Sequence, residues 1–128
     1  MTTPVFDKSS NSGLRHFVNA TRFSLHGFRA AFRHEAAFRQ ETTGLLIAIP
    51  GAWWLGEGPS QIALLIAAYL MVMVVELLNS SIEAAVDHTS MEHHDLAERA
   101  KDLGSASVFL VLVVCGLIWA AVAYERFT

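Results

Sequence analysis

Between residues 14 and 34 apolar side chains return every three or four positions, as Leu14, Phe17, Val18, Thr21, Leu25, Phe28 and Phe32, with Arg15, Arg22, Arg29 and Arg33 flanking them. That period predicts an amphipathic helix. Its arginine-edged stripe suits a membrane interface or the protein's own spans. Phe23 is the exception, projecting roughly 180° from the stripe's centre, either as plain surface or as a platform for something planar.

Beyond residue 40 the pattern changes from alternating to continuous. Residues 105–124 carry no charge across 20 positions, enough to cross a hydrocarbon core about 30 Å thick. Residues 62–86 are equally apolar except for Glu76, Asn79 and Glu83, and predict a helix that crosses and then projects from the membrane. The stretch 44–55 is short and contains Pro50 and Gly51, so it crosses only if residues 36–43 also reach membrane depth. With that span taken as 36–55, the expectation is an all-α membrane protein with three transmembrane helices. An amphipathic surface helix at 14–34 precedes them, in one domain over residues 14–128. Residues 1–13 are polar and lack an apolar h-region, and read as a disordered leader and not as a signal peptide.

Composition agrees with burial in lipid. Of 128 residues 53% are hydrophobic, more apolar surface than one small soluble core can hide. Cys115 is the sole cysteine, so no intrachain disulfide can form. The net charge of −3 points to no polyanionic partner and no nucleic acid. Charge distribution is more informative: eight of the nine lysines and arginines fall before the apolar stretch that starts at residue 44 or between the second and third spans. Basic short loops stay inside, which predicts a cytoplasmic N-terminus and an external C-terminus in the cytoplasmic membrane.

Glu76, Asn79, Ser80, Glu83 and Asp87 share an arc of roughly 100° on a helix and make one polar stripe. Interhelical hydrogen bonding accounts for Asn79 and Ser80 as well as a site does. For two glutamates at that depth a cation is the better account, because unpaired acids repel or protonate. Mg²⁺ prefers oxygen ligands and is often held by one or two carboxylates together with phosphates, which makes a nucleotide a candidate. No GxxxxGK[ST] loop and no kinase-type glycine loop is present, so phosphates must be held by helix surfaces and the second loop. That loop offers Glu92, His93, His94, Asp95, Glu98, Arg99, Lys101 and Asp102; as a zinc site the paired histidines are a weak signal.

The runs GFRAAFRHEAAFRQE (27–41), VELLNSSIEAAVD (75–87) and RAKDLGSA (99–106) resemble the motifs of the prokaryotic diacylglycerol kinase family, in order and over about residues 13–125. Undecaprenol kinases share the stripe, but FRQE is more similar to the diacylglycerol branch. The resemblance implies a homotrimer that moves the γ-phosphoryl of MgATP onto the primary hydroxyl of diacylglycerol, giving phosphatidic acid in lipid recycling. It implies Glu76 as the general base and Glu35 and Glu83 as the Mg²⁺ carboxylates. Phe23, Glu92, His93, His94, Lys101 and Asp102 would contact the nucleotide, with Lys101 at the phosphates. Asn79, Arg29, Glu41, Ser105 and Trp119 would serve the lipid acceptor. Two positions depart from the family pattern: Phe23 stands where a tyrosine is common, keeping stacking but not a hydroxyl, and His16 where an arginine is common. The alternatives from other classes are a small ion-coupled transporter subunit, which explains Glu76 but not Glu35, His94 or Lys101, and a non-catalytic scaffold.

Overall fold

The computed structural model describes residues 13–89 and 95–128, all helical apart from short connections. Four helices follow in order: α1 (Leu14–His34), α2 (Ala36–Leu55), α3 (Pro59–Thr89) and α4 (Asp95–Phe127). Among the described residues there is no strand. Glu92, His93 and His94 lie outside the described residues.

Three local features set these boundaries. The basic Arg33 and His34 close α1 where the helix dipole is negative, and Asp95 and Glu98 open α4 where it is positive. Pro59 opens α3, at a position where the missing N–H costs no helical bond. Pro50, by contrast, sits inside α2, which continues through Pro50 and Gly51 as one helix. Proline removes one internal hydrogen bond. In an apolar setting the remaining backbone groups still gain most from helical pairing.

α3 and α4 pack along much of their length, α2 packs on α3, and α1 meets the others mainly near α2. The interior is thin. One cluster joins Ala52, Leu65 and Val122 with Ile62, Ile66 and Trp119; another joins Ala31, Phe38 and Met73 with Leu45, Tyr69 and Leu77. Large apolar side chains elsewhere face outward, among them Phe109, Leu110 and Leu117 on α4. An apolar surface so continuous is incompatible with water and suited to lipid. α3 and α4 are each long and apolar enough to cross a membrane, whereas α2 does not pass the same test. On α1 only Ala31 is buried, and Leu14, Phe17, Leu25 and Phe32 are exposed. The chain's own spans therefore leave most of that stripe uncovered.

A single extended residue, Glu35, separates α1 from α2. The corner is held by Arg39, whose guanidinium Nη1 donates to the carbonyls of Phe32 (2.9 Å) and Arg33 (3.1 Å) at the end of α1. Helix ends leave such carbonyls without internal partners, and a cation there also opposes the dipole. Phe28 and Phe38 stack across the same corner with centroids 6.4 Å apart. Arg39→Ala is expected to speed amide hydrogen exchange at residues 34–36 by roughly fivefold or more, from the loss of about 1 kcal/mol of capping. Exchange at the wild-type rate would show that the corner holds without it.

Candidate active site at the acidic end of the bundle

α3 has to carry charge out of an apolar environment, and it does so on one face. Glu76, Asn79, Ser80 and Glu83 are half-buried there and Asp87 is exposed. Asn79 Nδ2 donates to Glu83 Oε1 at 3.3 Å. Two further acids converge from α2 and the α1–α2 corner. The Glu41 carboxyl lies within hydrogen-bonding reach of Glu76, and Glu35 and Glu83 are close enough to bear electrostatically on Glu76. Glu41, Glu35 and Glu83 thus all act on Glu76, at one end of α3. Among the described residues none of the four forms an ion pair with a basic side chain. Carboxylates in such proximity repel unless a proton or a cation lies among them.

The site also holds unsatisfied oxygen. Glu41 Oε2 and Asn79 Oδ1 are buried without a hydrogen-bond partner. Buried polar atoms are almost always paired, and these two oxygens are open to a further donor or a cation. The place of Asn79 is fixed from α4. Gly104 is buried against it, and a Cβ on residue 104 would collide with Asn79 Oδ1. The glycine of the RAKDLGSA run thus leaves the room on α4 that the Asn79 side chain of α3 occupies.

Lys101 belongs to this helix and not to a loop, because α4 already begins at Asp95. Its Nζ lies 2.6 Å from Asp87 Oδ1. Hydrogen bonding to Asp87 and the charge of that carboxylate, reinforced by Glu83, hold the ammonium above the usual lysine range. Lys101 is therefore cationic at any physiological pH, at the outer edge of the acidic stripe. Asp102 turns away from it, onto an exposed face of α4 with Asp95, Glu98 and Arg99.

The remaining positions expected from sequence are not gathered into the acidic cluster. Phe23 and Arg29 are exposed on α1, and Ser105 is exposed beyond Gly104. Trp119 packs in the apolar interior and its indole N–H donates to the Leu65 carbonyl at 3.1 Å. Leu65 precedes Glu76 by 11 residues, roughly 16 Å along α3. Between α1 and α3 opens a cavity of about 590 Å³, lined by Phe28, Ala31, Glu35, Leu77 and Ser80 among others and largely apolar. Three residues that sequence reasoning did not single out shape the site: Arg39 at the corner, Gly104 against Asn79, and Tyr69, whose hydroxyl donates to the Glu41 carbonyl at 2.7 Å. A tyrosine within an apolar stretch was the one visible signal, since its hydroxyl must find an acceptor.

No group of three or more histidine, cysteine, aspartate or glutamate side chains among the described residues forms a metal cage by itself. The donors that are present, Glu35, Glu83 and the free Asn79 Oδ1, are all oxygen. Such a set fits a Mg²⁺ that takes its other ligands from phosphate and water, and does not fit zinc.

Carboxyl groups at one end of an apolar helical bundle, with a lysine at their rim, describe a membrane protein with a polar site where its helices leave the apolar region. The sequence profile of the Prokaryotic diacylglycerol kinase family matches residues 22–123, and the chain belongs to that family. It is similar to the diacylglycerol kinase of Haemophilus influenzae, with 45% identity over 88% of this chain and 96% of that one. It is also similar to that of Pseudomonas aeruginosa, with 49% identity over 87% and 90% of the two chains. The Escherichia coli diacylglycerol kinase is 40% identical over 93% of this chain and 98% of its own.

Gly104→Ala is expected to push Asn79 off Glu83 and to destabilise the α3–α4 contact by about 1–3 kcal/mol, as overpacking does. Thermal unfolding in detergent micelles measures it. An unchanged Tm would mean that the two helices have room to spare.

Proposed function

We propose that the chain phosphorylates 1,2-diacylglycerol to phosphatidic acid with MgATP as donor, at the cytoplasmic face of the inner membrane. The observation that carries this reading is the convergence of Glu41, Glu76, Glu35 and Glu83 at the polar end of an apolar helix. It combines with membership of a lipid kinase family whose characterised relatives are named for diacylglycerol. In the proposed arrangement α2, α3 and α4 each cross the membrane, with the N-terminus inside and the C-terminus outside. Residues 14–128 form one membrane-embedded unit, and three copies associate. The uncovered apolar stripe of α1 supports that association, since it is free for lipid or for a neighbouring copy.

Glu76 is the general base. It lies deepest among the acids of α3, where the primary hydroxyl of a lipid headgroup can reach it, and Glu41 beside it orients that hydroxyl. As the hydroxyl attacks the γ-phosphorus, its proton passes to the Glu76 carboxylate and ADP leaves. Glu35 and Glu83 would hold Mg²⁺, which when bound supplies charge neutralisation on the β- and γ-phosphates. Lys101 exchanges Asp87 for phosphate oxygen. Phe23 offers its ring to the base, and Glu92, His93, His94 and Asp102 contact the nucleotide from the α3–α4 connection and the start of α4. Asn79, Arg29, Ser105 and Trp119 line the path of the acceptor. Such chemistry needs positioning and charge neutralisation more than covalent catalysis.

Purified protein in detergent, given MgATP and a short-chain diacylglycerol, is expected to form phosphatidic acid, and to do so faster than it phosphorylates undecaprenol under the same conditions. Glu76→Gln is expected to lower kcat by at least a hundredfold, within the range roughly 10²–10⁴ contributed by general bases, while the oligomer persists. Near-wild-type turnover by that variant would refute the assignment of the base. Lys101→Met should raise KM for MgATP roughly tenfold or more, the loss of one charge-assisted contact. A Glu83→Gln titration with Mg²⁺ that overlays the wild type would remove Glu83 from the metal.

A further inference from the structure

Glu41 stands on α2 and Glu76 on α3, and their approach depends on how the two helices are set against each other. One polar contact reaches across at this level. The Tyr69 hydroxyl, seven residues before Glu76 on α3, donates to the backbone carbonyl of Glu41 at 2.7 Å. That carbonyl already belongs to the α2 helical ladder, and a carbonyl oxygen can accept a second bond. The hydroxyl reaches it only because residue 44 is glycine: a Cβ there would collide with the Tyr69 hydroxyl oxygen, while the ring carbon bearing it would stay at 3.4 Å. The hydroxyl thus occupies the space that any other residue at 44 would fill. In Glu41 itself the side-chain Oε2 is buried without a hydrogen-bond partner.

We propose that Tyr69 is a positioning residue for the acidic pair: its hydroxyl, admitted by Gly44, pins the Glu41 backbone and so holds the Glu41 carboxyl against Glu76. The inference rests on the reading of Glu76 as base and Glu41 as its neighbour. In this reading Tyr69 acts through the Glu41 backbone and not through a bond to the reacting groups. Its effect falls on the reacting geometry, where a misplacement of about 1 Å can be costly, and not on binding of MgATP.

The test uses full-length wild type, Tyr69→Phe, Gly44→Ala and the double variant in one detergent, with kcat and KM for MgATP measured on dioctanoylglycerol and Tm measured alongside. Tyr69→Phe is expected to lower kcat roughly two- to tenfold, the worth of one hydrogen bond, with KM for MgATP unchanged. Gly44→Ala is expected to lower both kcat and Tm, because the new methyl group displaces the hydroxyl. Adding Tyr69→Phe to Gly44→Ala should restore Tm and return kcat to the level of Tyr69→Phe alone, since the ring without its oxygen clears the methyl group. Wild-type kcat in Tyr69→Phe overturns the proposal. So does a double variant as impaired as Gly44→Ala, or a kcat loss matched throughout by lost folded protein. A fully active Glu76→Gln would instead overturn the base assignment, and the Tm compensation between residues 44 and 69 would still report the steric pairing.

Discussion

Where α4 meets α3 at the polar end of the bundle, the Asn79 amide oxygen occupies the place that a Cβ on residue 104 would take. Most of the site depends on that contact. α3 is a long helix whose acidic residues all leave on one face, and a carboxylate in such a position is tolerated only where neighbours build a polar niche. Gly104 brings the polar first turns of α4, with Lys101 among them, against that face. Asn79 is thereby pressed toward Glu83, and its amide is divided between Glu83 and an oxygen left without a partner. A larger residue at 104 must displace the Asn79 amide at the level where the acids need company.

The second determinant is the corner at Glu35. One extended residue between two helices points its side chain wherever the helices dictate, and Arg39 fixes them by bonding the last carbonyls of α1. Glu35 consequently approaches Glu76 without any direct bond of its own. The basic residue that from sequence looked like an orientation signal is also a structural clamp. The two roles are compatible, because a guanidinium at the membrane edge can satisfy backbone carbonyls and still count toward charge asymmetry.

Much of this was legible in the chain. Helical character followed from the 3.6-residue stripe of α1 and from continuous apolar runs, and the face shared by Glu76, Asn79, Ser80, Glu83 and Asp87 followed from spacing alone. The continuity of α2 through Pro50 was in the expectation once the span was taken as 36–55, because proline is a breaker in water and much less so where no water competes for the backbone. The helical state of Lys101 and Asp102 was not legible, since mixed charge reads as loop unless the start of α4 is known. Contacts between elements lay furthest out of reach. Nothing local in the sequence tells that Gly104 faces Asn79, that Gly44 faces Tyr69, or that the Trp119 indole bonds the Leu65 carbonyl. These depend on helix rotation and axial offset, which periodicity leaves undetermined.

The spacing of the acids along α3 can be understood from these contacts. Glu76 and Glu83 are two turns apart, roughly 10 Å along the axis. Each has its own neighbours: Glu41 stands beside Glu76, while Asn79 and, farther out, the Asp87–Lys101 pair attend Glu83. Polarity is therefore graded along the helix, from carboxyls packed among apolar side chains to an exposed ion pair. A lipid hydroxyl and a nucleotide triphosphate prefer opposite ends of such a gradient, one arriving from the hydrocarbon and the other from water. The proposed transfer takes place where the two ranges overlap. Glu35 reaches that point from the α1–α2 corner, so one rigid face of α3 can serve both substrates without a large movement of the helices.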